Sequence, residues 1–227
     1  MRTMGRGWLG LLLVSCLLVG GDGAAQGPSA PDIVLPPLIE RADPLLFLIV
    51  PEESEVAFDA RATLHDFTGA SRTLDGRVEA IPVAIEQTAS GGVSVRAASL
   101  TTGNWIRDRN MRALLEADRY PDIRFTVSRV KPQSLPTAEQ PATTLLVTGQ
   151  LQVRDVAKSL QLPVTVTAGT DTIVVTGEFP LKMTDVGLTP PSFLFISVDN
   201  QLTVRFRLVA RLATSPSLQQ PPPGAEH

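Results

Sequence analysis

The chain has few of the residues that carry redox, thiol and metal chemistry. Among 227 residues there are one cysteine, Cys16, and two histidines, His65 and His227. A single cysteine excludes an intramolecular disulfide and a site with several thiolate ligands. Lysine is also rare, no long basic run occurs, and the formal net charge is −3. Because nucleic-acid-binding proteins usually carry a basic patch, we expect no nucleic-acid partner.

The short motifs of common catalytic sites are absent as well. The sequence has no Gly-x-Ser-x-Gly, no His-Glu-x-x-His, no phosphate-binding Gly-rich loop and no dinucleotide-binding fingerprint. His65 and Asp66 are adjacent, but neighbouring side chains on an extended chain point apart. One histidine alone binds a metal weakly. We predict no catalytic residue, no metal site and no cofactor, and interpret His65 as a structural residue or as one at the rim of a pocket.

The N-terminus has the pattern of an export signal. Arg2 and Arg6 precede the apolar run 8–19, and the small residues 23–25 offer a cleavage site. The run is shorter than the roughly 20 residues that a transmembrane helix needs. We predict a signal peptide over residues 1–25, and therefore a periplasmic or extracellular protein.

A lipobox-like stretch leaves one alternative open. Leu13-Val14-Ser15-Cys16 resembles the site at which bacterial lipoprotein precursors are cut, after which Cys16 would carry a lipid anchor. Against this, the apolar run continues through Val19. With ordinary cleavage after Ala25, the mature chain has no cysteine.

Proline-rich segments bracket a single predicted domain. Residues 26–44 contain five prolines and are typical of an extended linker, and residues 214–227 predict a disordered Pro-rich tail. The remaining residues, 45–213, are enough to bury about 70% of the unfolded surface around one core.

Within this domain the apolar residues recur at every second position. In 54–64, Val56, Phe58 and Ala60 alternate with polar residues, and the segments 159–166 and 202–211 do the same. Such alternation predicts strands with one dry and one wetter face. Further strands are predicted at 45–50, 74–85, 91–99, 122–130, 144–154 and 172–183. Eight or nine strands separated by turn residues indicate a sandwich or a barrel.

One segment departs from this period. In 105–117, Met111, Leu114 and Leu115 are spaced as on one face of a helix, and Pro121 limits its extension. We predict a short helix here that closes an end of the sheet. Asp108 near its start suits the positive end of the helix dipole, and Arg107 could join the helix to the sheet through a carboxylate.

Four segments together carry a resemblance to a known family. They are 65–69 (His-Asp-Phe-Thr-Gly), 100–111 with its Arg107-Asp108-Arg109-Asn110-Met111 core, 120–125 (Tyr-Pro-Asp-Ile-Arg-Phe), and the hairpin 147–158. In order and spacing, the sequence resembles the YceI-like family over about residues 45–211. Two positions depart from the family pattern: Asn110 stands where many members have histidine, and Thr184 where a basic residue is frequent.

The resemblance implies an all-β, lipocalin-like antiparallel β-barrel of about eight strands with one short capping helix. It also implies an exported binding protein that holds an isoprenoid or a fatty-acid-derived amphiphile, such as a fatty amide, in an apolar cavity. The candidate ligand-binding residues are Phe58, His65, Phe67, Trp105, Arg107, Asp108, Asn110, Met111 and Phe125. Contact with a membrane surface and a homodimer through 189–198 are further expectations.

Two other functions remain open at this stage. One is an enzyme acting on such amphiphiles, with His65, Asp108 and Asn110 as its candidate polar groups. The other is a barrel filled by its own side chains that serves a structural or interaction role. The stripe of Arg205, Arg207 and Arg211 on the last strand is interpreted as a solvated outer face, with an anionic surface as the alternative contact.

Overall fold

The computed structural model describes residues 37–134, 142–193 and 196–213. The predicted signal peptide, with Cys16, and the predicted tail 214–227 lie outside these ranges. Residues 26–36 of the predicted linker also lie outside them, as do Leu194 and Phe195 of the segment 189–198. Within the described ranges, no helix is long and apolar enough to cross a membrane.

The described chain is built mainly from β-strands, joined by two short α-helices and several 3₁₀ turns. The helices are α1 (Ile85–Thr88) and α2 (Trp105–Leu114). The strands are β1 (Leu45–Ile49), β2 (Glu55–Ala62), β3 (Phe67–Ser71), β4 (Leu74–Ala80), β5 (Ser90–Arg96), β6 (Asp122–Pro132), β7 (Ala142–Val153), β8 (Val156–Ala168), β9 (Thr172–Lys182), β10 (Ser192–Phe193) and β11 (Ile196–Leu212).

The strands form a closed antiparallel barrel. Eight of them follow the order β1-β4-β5-β6-β7-β8-β9-β11, and pairing of β11 with β1 closes the ring. The hairpin of β2 and β3 continues the same wall beyond β1 and β4, because β2 pairs with the first half of β11. The predicted antiparallel eight-strand barrel is therefore confirmed.

A buried serine lies where β1 passes into β2. The chain makes a 3₁₀ turn at Pro51–Glu53 between the two strands, and Ser54 follows it with 1% of its surface exposed. Its hydroxyl donates to the carbonyl of Val50 at 2.7 Å and accepts from the N–H of Val209 at 2.9 Å. This side chain thus replaces the ladder hydrogen bonds lost at the bend.

One predicted strand ends early. Residues 74–85 were predicted as a strand, whereas β4 ends at Ala80 and the chain turns into α1, so the barrel has a second short helix. Pro82 has no N–H for a strand ladder. The Thr88 hydroxyl donates to the carbonyl of Ala84 and accepts from the N–H of Ile81, which holds the turn in place.

The barrel therefore has two different ends. At the α2 end, α2 and the loop around β10 lie over the opening. At the α1 end, α1 and a 3₁₀ turn at Pro37–Glu40 lie over it, and Leu38 is 4% exposed in a cluster with Leu45, Phe47 and Ala210. Leu38 comes from the predicted linker, so this residue of the linker packs on the barrel, whereas residues 40–44 are exposed.

Candidate ligand cavity

Helix α2 begins at a capped residue. The side-chain oxygen of Asn104 accepts from the N–H groups of Ile106 and Arg107, both at 3.1 Å. An Asn at this position satisfies N–H groups that have no partner inside the helix. The start of α2 is thereby set by local sequence, immediately after the segment that approaches β3 through the bridge of Ala70 with Thr101.

Asp108 fastens α2 to that same segment. It is 6% exposed, and its carboxylate accepts from the Thr101 hydroxyl at 2.7 Å, the Thr102 hydroxyl at 2.6 Å and the Thr102 N–H at 2.8 Å. Burial alone would raise the pKa of Asp108, but these hydrogen bonds and the charge of Arg112 outweigh it and hold the pKa below its usual value. The ionised carboxylate of Asp108 thus helps to hold α2 in place at its end of the barrel.

A cavity of about 1300 Å³ occupies the barrel interior. It exceeds the range of about 300 to 1,000 Å³ typical of small-molecule pockets. Its wall is apolar along the strands, and representative lining residues are Val127, Leu145, Val147, Leu162, Val164, Val175, Leu181 and Val204. The space rules out a barrel filled by its own side chains, which was one of the alternatives from sequence.

Glycines on neighbouring strands leave room for phenylalanine rings against the wall. Phe58 lies opposite Gly69, and Phe206 lies opposite Gly177. A Cβ atom at Gly177 would lie 2.5 Å from Cζ of Phe206, closer than atoms can approach. Because each ring can lie against a glycine backbone, it takes less space from the cavity.

The polar lining groups are few, and most lie at the α2 end. Those at the α2 end are His65 in the β2–β3 turn, Asn104, Arg107 and Asn110 from α2 and its cap, and Thr189 and Ser192 near β10. The Arg107 guanidinium lies over the Phe67 ring, 4.1 Å from Cζ to the ring centroid. Among the described residues it has no carboxylate within salt-bridge distance. The helix is therefore joined to β3 by a cation–π contact where a carboxylate partner was expected.

The structure brings seven of the nine candidate residues to the cavity. They are Phe58, His65, Phe67, Arg107, Asn110, Met111 and Phe125. The other two do not line it: Trp105 points away from the cavity and is 70% exposed, and Asp108 faces Thr101 and Thr102. Sequence reasoning missed Leu64 and Ile106 at the mouth, although their large apolar side chains beside His65 and Arg107 were a signal.

The cavity offers little for catalysis or metal binding. Within the described parts of the chain, no three His, Cys, Asp or Glu residues are grouped to hold a metal ion. Both carboxylate oxygens of Asp108, one of the three polar groups considered for an enzyme, accept hydrogen bonds from threonines. The arrangement suits the burial of a long apolar chain with a small polar group at the α2 end.

Comparisons with known proteins agree with this geometry. The family model of the YceI-like domain matches residues 47–210, and no curated protein matches the chain. BcnA from Burkholderia cenocepacia shares the fold at 20% identity and a TM-score of 0.62, over 73% of this chain and 99% of that one. A polyisoprenoid-binding domain from Saccharophagus degradans, implicated in plant cell wall breakdown, matches at 16% identity and a TM-score of 0.60, over 74% of this chain and 99% of that one. The YCEI protein of Campylobacter jejuni matches at 18% identity and a TM-score of 0.52, over 65% of this chain and 85% of that one.

Proposed function

This chain belongs to the YceI-like domain family, and from that premise we propose that it binds the apolar chain of an isoprenoid or fatty-acid-derived amphiphile inside its barrel. The observation that carries the proposal is the cavity of about 1300 Å³ with an apolar wall and polar groups mostly at one end. The relative from Saccharophagus degradans, which is described as a polyisoprenoid-binding domain, supports the same class of ligand.

The energetics favour a long chain over a small polar molecule. Each buried methylene contributes about 0.8 kcal/mol, so ten of them contribute about 8 kcal/mol before the cost of ordering the ligand. Few hydrogen bonds are then needed for retention. In this proposal His65, Arg107 and Asn110 hold the polar group of the ligand at the α2 end, and the phenylalanines and Met111 contact its chain.

The proposal is one of binding, with sequestration or transport as the role and without a chemical step. It includes export through the signal peptide 1–25, which fractionation of the producing cell and N-terminal sequencing of the protein would test. A homodimer through 189–198 is also part of it. Analytical ultracentrifugation would test the dimer, because a monomer at all concentrations contradicts it.

Native mass spectrometry of the purified protein tests the ligand class. We expect an added mass that organic extraction releases as an alkyl or isoprenyl compound. A Val147→Trp variant places a large side chain in the cavity, since Val147 lines it, whereas Gln161→Trp changes the exposed side of the neighbouring strand. Long chains should lose affinity in the first variant and keep it in the second. A protein that takes up neither isoprenyl nor alkyl chains contradicts the proposal.

A further inference from the structure

Large apolar side chains are exposed beside the mouth of the cavity. Trp105 is 70% exposed, Leu64 62% and Ile106 47%. Leu64 and Ile106 also line the cavity, so this surface is continuous with the interior at the α2 end. Contiguous exposed apolar side chains of this kind mark sites of contact with another molecule or with a membrane.

Helix α2 divides its side chains between the cavity and the exterior. Asn110, Met111 and Leu114 lie on the cavity side. Residues three and four positions apart share a face of a helix, so Trp105, Arg109 and Arg112 lie together on the opposite side. We call these three residues the outer face of α2. Two of its residues form a cation–π contact, because Cζ of Arg109 lies 5.4 Å from the centroid of the Trp105 ring.

The outer face carries the positive charges of Arg109 and Arg112, of which Arg112 lies near enough to the Asp108 carboxylate to lower its pKa. Among the residues that the structure describes, neither Arg109 nor Arg112 takes part in a salt bridge. The one acidic residue of α2, Asp108, is buried against threonines. At the neighbouring turn, Asp66 accepts from the N–H of Ala62 and lies close in sequence to the exposed Arg61. The outer face itself is therefore cationic, and the exposed carboxylates of Asp118 and Asp199 also lie at this end of the barrel.

The arginine stripe on β11 differs in this respect. Arg205 contacts Asp59 through two hydrogen bonds of 2.7 and 2.8 Å, and Arg211 forms an ion pair with Glu53. The Arg205 guanidinium and the Thr68 hydroxyl hold the pKa of Asp59 below its usual value, so this pair stays ionised. Arg205 and Arg211 thus lie next to carboxylate partners on the side of the barrel, and Arg207 between them donates to the backbone carbonyl of Glu53.

The opposite end of the barrel carries charges of both signs. Glu40, Glu79 and Glu86 lie at the α1 end, as do Arg129 and Lys131 in the last part of β6, and none of the five takes part in a salt bridge within the described residues. With a net charge of −3, the whole chain is repelled by an anionic surface unless a cationic face leads. A local cationic face orients a protein as it approaches a charged partner.

From these observations we propose that the outer face of α2, together with Leu64 and Ile106, docks the barrel on an anionic lipid bilayer with the cavity mouth toward the lipid. Tryptophan suits the boundary between headgroups and acyl chains, because its ring is apolar and its N–H is polar. Arginines near the surface add about a fivefold gain in affinity each for anionic lipid. The inference rests on the proposed function in one respect: docking brings the mouth to the source of the amphiphile.

Tryptophan fluorescence tests the docking in the full chain. The sequence has two tryptophans, so a Trp8→Phe background leaves Trp105 as the only one. On vesicles of phosphatidylglycerol and phosphatidylcholine, we expect its emission to shift to the blue and to be quenched by brominated acyl chains. On pure phosphatidylcholine, or at about 0.5 M NaCl, where charges are screened beyond a few ångströms, we expect both effects to be lost.

Two matched double variants distinguish binding through this surface from nonspecific electrostatic attraction to the vesicle. Trp105→Ser with Arg109→Gln removes one large apolar side chain and one arginine from the outer face. Leu48→Ser with Arg77→Gln removes the same classes from exposed, paired positions on β1 and β4. The first should weaken sedimentation with anionic vesicles by roughly tenfold, and the second should leave it unchanged. The N-terminal segment is the same in both variants and cancels from the comparison.

Several results would overturn the docking. They are equal binding to anionic and neutral vesicles, equal loss in both double variants, or no quenching of Trp105. Self-association of the chain that Trp105→Ser abolishes, without vesicle binding, would instead assign this surface to a second copy and also overturns it. Uptake of a detergent-dispersed lipid is measured separately: its failure contradicts the proposed function, whereas intact uptake with no vesicle binding contradicts the docking alone.

Discussion

The guanidinium of Arg107 lies over the ring of Phe67, with Cζ 4.1 Å from the ring centroid. Phe67 in turn meets Phe58 edge to face, with 6.3 Å between ring centroids. This contact joins α2 to the β2–β3 hairpin beside the cavity mouth. Both partners line the cavity, so its wall at the α2 end includes a guanidinium that lies on an aromatic ring.

Replacing Phe67 by leucine is expected to speed ligand release. An exposed cation–π contact is worth about 0.5 to 1 kcal/mol, so its loss should raise the release rate about two- to fivefold. Transfer of a bound fluorescent fatty acid to acceptor vesicles measures the rate. Phe67→Tyr keeps the ring and should release at the original rate; equal rates for leucine and tyrosine would show that the contact does not retain the ligand.

Asp108→Ala is expected to destabilise the fold. The change leaves the Thr101 and Thr102 hydroxyls and the Thr102 N–H without their acceptor, and the cost should be about 2 to 4 kcal/mol. Urea unfolding measures the free energy. Asp118→Ala removes an exposed carboxylate just beyond α2 and should change stability by less than about 0.5 kcal/mol. Similar losses in the two variants would contradict the role given to Asp108.

The pKa of Asp108 also predicts a dependence of stability on pH. Its pKa in the folded protein lies below that in the unfolded chain, which is about 3.9. The carboxylate therefore contributes its full stabilisation above that value and loses it as the pH falls through the folded pKa. Urea unfolding between neutral pH and about pH 2 should show a smaller acid loss in Asp108→Asn than in the original chain. An unchanged acid profile would contradict this prediction.

Gly177→Ala is expected to push the Phe206 ring into the cavity. The new methyl group would lie 2.5 Å from Cζ of Phe206, so the ring must move, at a cost of about 1 to 3 kcal/mol. Thermal unfolding should show the loss, and long-chain ligands should bind more weakly. Adding Phe206→Leu should restore much of the thermal stability and of the affinity for long-chain ligands, because leucine does not reach over the glycine. A double variant as impaired as Gly177→Ala would contradict the packing explanation.

Alternation along single strands predicted most of the barrel. In β2, β8 and β11 the period of two identifies the inward face without reference to other strands, and Phe58 of β2 lines the cavity as that period predicts. Strand β3 was missed because it is only five residues long and its last three, Gly69, Ala70 and Ser71, have little strand preference. Pairing with β2 places them in the sheet.

The two candidate residues that do not line the cavity are both on α2. The helix predicted over 105–117 is observed over Trp105–Leu114, yet which side faces the barrel depends on how it docks. The hydrogen bonds of Asp108 with the 101–102 segment turn Trp105 outward and Asn110 inward. Those partners lie in the segment just before the helix, so residue spacing within the helix could not reveal them.

The sequence by itself determined the all-β architecture, the capping helix and the scarcity of residues for metal or thiol chemistry, since these follow from composition and local period. The tertiary structure decided that the barrel is hollow, that phenylalanine rings lie against glycines, and that a tryptophan and two arginines face outward beside the mouth. Cavity volume and surface charge depend on distances between strands and helices that pair far along the chain, and no local pattern contains those distances.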